Sequence, residues 1–200
     1  MSRPKVAAII LAAGGSSRLG RPKQLLDWFG KPFIKQLTHL AKQAQLDPVV
    51  VVTGSSYAEI EAAIKDDDVI IARNAAWQDG QSSSMQTGCK VLDGNKIDGF
   101  IIFLCDQPQV TLEMLKKMMN EAQREDIDIV ATSVRGKVCP PTLFKMNCVN
   151  GIMSLQGDQG GRVLFKTYKT QILDWQDERL LQDSDTEEDY LKLLDLYSNY

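Results

Sequence analysis

Arg18 and Lys23 follow a run of small residues, Ala12, Ala13, Gly14, Gly15, Ser16 and Ser17, which itself follows an apolar stretch ending at Leu11. Small residues do not block approach to the backbone and the glycines do not resist positive φ, so successive N–H groups there can converge on an anion. A guanidinium supplies a two-pronged donor and an ammonium a compact point charge, a combination suited to a polyphosphate. Two well-known phosphate loops do not fit. The stretch lacks G-x-G-x-x-G, and although Gly15 and Gly20 have P-loop spacing, Arg21 and Pro22 stand where lysine and serine or threonine are required. A plain surface loop is the alternative. Farther along, Asp106 in Cys105-Asp106-Gln107-Pro108 follows a strand-like run, where a carboxylate can hold Mg²⁺ against substrate phosphates or simply form a turn.

Composition limits what these residues can serve. The 200 residues are 44% hydrophobic and 24% charged with a formal net charge of −3, as expected of a globular chain of one domain, residues 1–200. The basic residues are scattered, so no nucleic-acid surface is expected. No apolar run approaches the roughly 20 residues of a membrane span, and the N-terminus leads directly into a strand-like segment, so a cytoplasmic location is expected. Cys89, Cys105, Cys139 and Cys148 are widely spaced and read as reduced thiols rather than a zinc or disulfide framework. The single histidine, His39, falls on the polar side of a helical pattern, which excludes a histidine-based triad. Met118 and Met119 have core spacing.

The elements that must position these groups alternate along the chain. Residues 6–11, 49–52, 69–72, 100–104 and 127–132 are strand-length runs, apolar on both faces as buried parallel strands are. Helical patterns lie between them at 32–44, from Ser56 through Ile64 with Ser56 and Glu59 as a capping box, and from Leu112 to Ala122. This order predicts an α/β fold, a doubly wound, mostly parallel, Rossmann-like sheet with ligands beyond the carboxyl ends of its strands. After about Gly136 the alternation loosens, and the remainder is expected to cover the sheet.

The run LAAGGSSRLGRPKQLL, residues 11–26, resembles the L-A-[AG]-G-x-S-x-R-[ML]-G-x-x-K-x-L signature of nucleotidyltransferases that make molybdopterin dinucleotide cofactors. NAAWQDGQSSS (74–84), LCDQPQV (104–110), LQGDQGGR (155–162) and DSDTEEDY (183–190) resemble further family segments in order. The likeness is strongest to the cytidylyltransferase branch, with alanine at Ala13 where the guanylyltransferase branch usually has glycine. The chain departs from that branch at Cys139-Pro140-Pro141, a segment expected to face the acceptor. The resemblance implies a glycosyltransferase-A-like fold and a Mg²⁺-dependent enzyme that moves a nucleoside monophosphate, CMP from CTP before GMP from GTP, to a molybdopterin-type phosphate acceptor.

In such a reaction like charges must be brought together, and unit charges about 4 Å apart interact by roughly 4 kcal/mol at an effective dielectric near 20. Arg18 is expected on the β- and γ-phosphates, Lys23 on the α-phosphate and Asp106 on the metal. Leu11, Ala12, Ala13, Gly14 and Gly15 are expected to line the nucleotide, with Ser82 and Ser83 as donors to base and ribose or as caps of a helix running to Leu92. Family analogy gives the second metal ligand as Asp183 before Asp185, although Asp185 also suits the cap of the last helix. Arg162, in a glycine-rich turn, is expected on the acceptor's phosphate, with a loop-to-helix cap at Asp158 as the plainer alternative. Other readings are a sugar- or polyol-phosphate nucleotidyltransferase, a non-catalytic protein delivering cofactor to a molybdenum hydroxylase, and a nicotinamide-dependent oxidoreductase, the last disfavoured by the missing dinucleotide fingerprint.

Overall fold

A computed structural model describes residues 4–198; the first three residues, part of the N-terminus read above as leading into a strand, lie outside them. The first strand, β1 (Val6–Ala12), is buried along its whole length, and its two faces feed two cores. Ala8 and Ile10 pack with α1 (Phe33–Gln43), α2 (Tyr57–Ile64) and α4 (Leu112–Glu121) on one side. Ala7 and Ile9 pack with α3 (Gln81–Val91) and α5 (Val149–Met153) on the other. Side chains alternate across a strand, so a run apolar at every position requires helices on both faces.

Four parallel strands follow from this pattern: β1, β4 (Val49–Thr53), β5 (Ile70–Arg73) and β6 (Gly99–Leu104). A short hairpin of β2 (Asp27–Trp28) and β3 (Lys31–Pro32) precedes α1. The strand expected at 127–132 is β7 (Ile129–Val134). The part after Gly136 corrects the expectation of a covering segment: its strands β8 (Lys137–Lys145) and β9 (Thr170–Asp174) join the sheet and bring it to seven strands, in the order β5-β4-β1-β6-β8-β7-β9. Within it β8 alone runs against its neighbours, returning from β7 through a turn at Arg135 and Gly136, both at positive φ. The last helix, α6 (Glu187–Tyr197), packs Tyr190 and Leu193 beside Trp28 and Phe33.

Three cap assignments also change. Ser56 precedes α2 but makes no side-chain cap bond. Helix α3 starts after Gly80 rather than being capped by the serines, and α6 is capped by Thr186, whose hydroxyl and the Asp189 carboxylate form the reciprocal capping box, rather than by Asp183 or Asp185. His39 is exposed and all four cysteines are buried and unpaired by disulfides. Among the described residues no helix is long and apolar enough to cross a membrane.

Candidate active site

Strand order reverses beside β1: the chain passes outward to β4 and β5, then returns to lay β6 on the other side of β1. The crevice beyond the carboxyl ends of β1 and β6 is where such sheets bind ligands. A cleft of about 410 Å³ lies there, lined by Leu11, Ala13 and Gly14 from the end of β1 and its loop, Leu104, Cys105 and Asp106 from the end of β6, and Lys23 and Gln24 between them. Helix α3 can approach β1 closely because Gly88 has no side chain; a Cβ there would stand 2.5 Å from Ile9 Cγ2.

The loop after β1 is held from behind. Gln24 Nε2 donates to Ala12 O and to Gly14 O, each at 2.9 Å, and Ser55 donates its hydroxyl to Gly14 O at 2.9 Å and its backbone N–H to Ala13 O at 3.2 Å. Ser16 adopts positive φ, and its hydroxyl accepts the Lys23 N–H at 3.0 Å. Among the described residues none of the N–H groups from Gly14 to Arg18 donates to a protein acceptor, which leaves five consecutive donors for an anion. Trp77 was not singled out from the sequence, yet its ring lies against Gly15, 3.2 Å from where a Cβ would be, and walls the cleft.

The charged residues form one chain of ion pairs. Lys23 Nζ donates to Asp106 Oδ2 at 2.6 Å and to Asp185 Oδ1 at 3.0 Å, while Arg18 Nη2 reaches Asp185 Oδ2 at 2.6 Å. Burial opposes the ammonium charge of Lys23, but the two carboxylates outweigh it and its pKa is raised above the ordinary 10.5. The hydrogen bond from Lys23 lowers the Asp185 pKa, against burial. Asp183, expected before Asp185 as the second acidic ligand, makes no ion pair here among the described residues; burial and then the charges of Asp185 and Asp106 raise its pKa. Ser184 between them is buried and donates to Asp106 O at 3.2 Å, tying the segment before α6 to the loop after β6.

Two carboxylates thus hold one ammonium, and one of them also holds a guanidinium. No set of three or more His, Cys, Asp or Glu with metal-holding geometry exists among the described residues. The hard oxygen donors of Asp106 and Asp185, within reach of one cation, nevertheless fit a Mg²⁺-type ion, which uses one or two carboxylates and takes the rest of its shell from phosphates and water.

Ser82 and Ser83 lie beside the cleft, not in its lining. The Ser82 hydroxyl donates to Gly157 O at 2.7 Å and the Ser83 hydroxyl to Gly80 O at 2.8 Å, so their protons are engaged inside the protein. Ala13 lines the cleft but is 4% exposed, and its methyl rests against Gly54, where a Cβ would come within 2.8 Å; little of it remains to narrow the space beside a base. Arg162 lies in a second pocket, of about 230 Å³, with Met85, Phe144, Phe165, Cys139 and Pro140; this pocket joins the cleft at Gln81 and Leu104. Asp158 lines the cleft instead of capping the following segment, which starts after Gly160 with no side-chain cap.

Residues 8–172 match the model of the MobA-like NTP transferase domain. The chain belongs to this family. It is a nucleotidyltransferase with the glycosyltransferase-A-like architecture described above. It is 28% identical to the purine catabolism protein PucB of Bacillus subtilis over 95% of this chain and 96% of that one. It is 30% identical to a protein of Bacillus cereus named "Probable molybdenum cofactor guanylyltransferase", over 68% of this chain and 66% of the other. The crystal structure of Rv0371c from Mycobacterium tuberculosis superposes with a TM-score of 0.84 at 24% identity, covering 97% of this chain and 100% of that one, and Rv0371c has also been crystallised with manganese.

Proposed function

We propose that this nucleotidyltransferase uses Mg²⁺ to transfer CMP from CTP to the phosphate of a molybdopterin-type acceptor, releasing pyrophosphate, and that the product serves a molybdenum hydroxylase. The observation that carries the reading is the juxtaposition of five unpartnered loop N–H groups with Lys23 between Asp106 and Asp185. A bound Mg²⁺, held by Asp106 with Asp185 or Asp183, supplies positive charge against the triphosphate; the metal of the Rv0371c complex supports a divalent ion.

The chain's own groups do the remainder. The loop N–H groups and Arg18 bind the β- and γ-phosphates, with Arg18 exchanging Asp185 for phosphate oxygens of similar geometry. Lys23 sits at the α-phosphate, where negative charge grows as an acceptor oxygen forms its bond to phosphorus and the bond to pyrophosphate breaks. Arg162, with the apolar pocket around it, orients the acceptor for in-line attack. Ala13 supports the choice of CTP through its place in the cytidylyltransferase-like loop. Transfer of GMP is the second reading, favoured by the 30% identity to the Bacillus cereus protein.

The test is pyrophosphate release by the purified protein with each of the four nucleoside triphosphates, Mg²⁺ and, as acceptor, either molybdenum cofactor or a sugar or polyol phosphate. CTP is expected to give the largest kcat/KM. Preference for GTP would move the assignment to guanylyl transfer, and release only with a sugar or polyol phosphate as acceptor would reject the molybdopterin acceptor.

A further inference from the structure

Gln24 is 1% exposed and sits directly after the proposed α-phosphate lysine, in the single turn Lys23–Leu25. Its two amide hydrogens go to carbonyls two residues apart in the phosphate loop, Ala12 O and Gly14 O, while Ser55 holds Ala13 O and shares Gly14 O. Three successive carbonyls are therefore fixed. A trans peptide unit is planar, with its N–H pointing opposite to its C=O, so holding the carbonyls of Ala13 and Gly14 also aims the N–H groups of Gly14 and Gly15 the other way. Those are the first two of the five N–H groups with no protein acceptor among the described residues.

Gln24 Oε1 is buried with no hydrogen-bond partner. An unpaired buried oxygen is unfavourable, and an apolar side chain of similar length would fill the same space without it. What the carboxamide adds over such a side chain is its pair of donors. We propose that Gln24 is a positioning residue for the triphosphate: its amide sets the direction of the loop N–H groups and so their grip on the phosphates. This rests on the reading of the cleft as a triphosphate site.

Gln24→Met keeps length and volume and removes both donors. Ser55→Ala removes one bond to Gly14 O at an exposed position. CTP and GTP binding is measured by calorimetry with Mg²⁺, the KM of triphosphate and acceptor by pyrophosphate release, and folding by thermal unfolding. Gln24→Met is expected to weaken triphosphate binding and raise its KM between about 10- and 100-fold, the scale of misplaced binding groups, with the acceptor KM within about 2-fold of wild type. Ser55→Ala is expected to weaken triphosphate binding about 5-fold, the worth of one neutral hydrogen bond. The double variant should depart from the product of the two effects, because both residues hold one carbonyl. A folded Gln24→Met protein with wild-type triphosphate binding overturns the role, as does an equal rise in both KM values. Should Gln24→Met not fold, unchanged triphosphate binding by Ser55→Ala overturns it. A wild-type protein that binds neither triphosphate would instead overturn the reading of the cleft, and this inference with it.

Discussion

The cleft and the pocket beside it share Gln81 and Leu104 but are built on opposite principles. At the cleft both cations already have protein partners: Lys23, in its lining, holds Asp106 and Asp185, and Arg18, exposed and outside the lining, holds Asp185. In the pocket the surroundings are mainly apolar, from Met85, Ile102, Phe144 and Phe165, and Arg162 is exposed with no ion pair among the described residues. A phosphate entering the cleft therefore exchanges one anion for another, and its affinity is a difference between two sets of charge interactions. A ligand entering the pocket instead gains apolar burial and a first partner for Arg162. On the proposed function, charge in the cleft is arranged for a state that differs from the resting one, whereas the pocket favours plain retention.

The strongest break in this contrast comes at Asp106. Asp106→Asn keeps the shape and removes the charge, and turnover is expected to fall by about three orders of magnitude or more in a protein that unfolds at the wild-type temperature. A folded variant with near-normal pyrophosphate release would remove Asp106 from the chemistry.

Separating the two cations sharpens the picture within the cleft. Lys23→Ala is expected to lower kcat by about 100-fold with little change in KM, because its charge is most needed in the transition state. Arg18→Ala is expected to raise the triphosphate KM about 10-fold as well as lowering kcat. Indistinguishable profiles for the two variants would show that no division of labour exists between them.

Arg162→Ala crosses from cleft to pocket. It is expected to raise the acceptor KM about 10-fold, in line with the loss of a charge-assisted hydrogen bond, and to leave the triphosphate KM unchanged. Steady-state kinetics with each substrate varied in turn decides this, and an effect on the triphosphate alone would merge the two sites into one.

The smallest effect is expected at Ala13. Because its methyl rests against Gly54, Ala13→Gly should loosen the loop and relax the CTP to GTP preference by only about 3-fold, below the range of one fully used methyl contact. Selectivity untouched by the substitution would leave base choice to other walls of the cleft, Trp77 among them.

How much was legible in the sequence follows the same division. The apolar runs that became β1, β4, β6 and β7 were readable because a strand buried on both faces must be apolar at every position, and β5 was readable from its short run Val69–Ala72 although it lies at an edge with Ile70 exposed. Strand β8 was not. Cys139, Pro140, Pro141 and Thr142 carry neither strict alternation nor a continuous apolar run, since their pairing with β6 and β7 rather than local propensity makes them a strand. The edge strand β9 escaped for a related reason, as its Ile172 is exposed and its pattern is weak.

The sequence by itself determined the loop of small residues with Arg18 and Lys23, the aspartate at the end of β6, and the alternation that sets them at one end of a sheet, because each depends on residues close together in the chain. The tertiary structure alone decided that Asp185 rather than Asp183 meets the two cations, that the hydroxyls of Ser82 and Ser83 turn to carbonyls of the protein, and that Gln24 and Ser55 hold the loop from behind. Asp185 lies 162 residues from Lys23, and Ser82 75 from Gly157. Contacts at such separations leave no local period, and which of two nearby aspartates turns inward is settled by packing: Ser184 is buried between them and bonded to the carbonyl of Asp106.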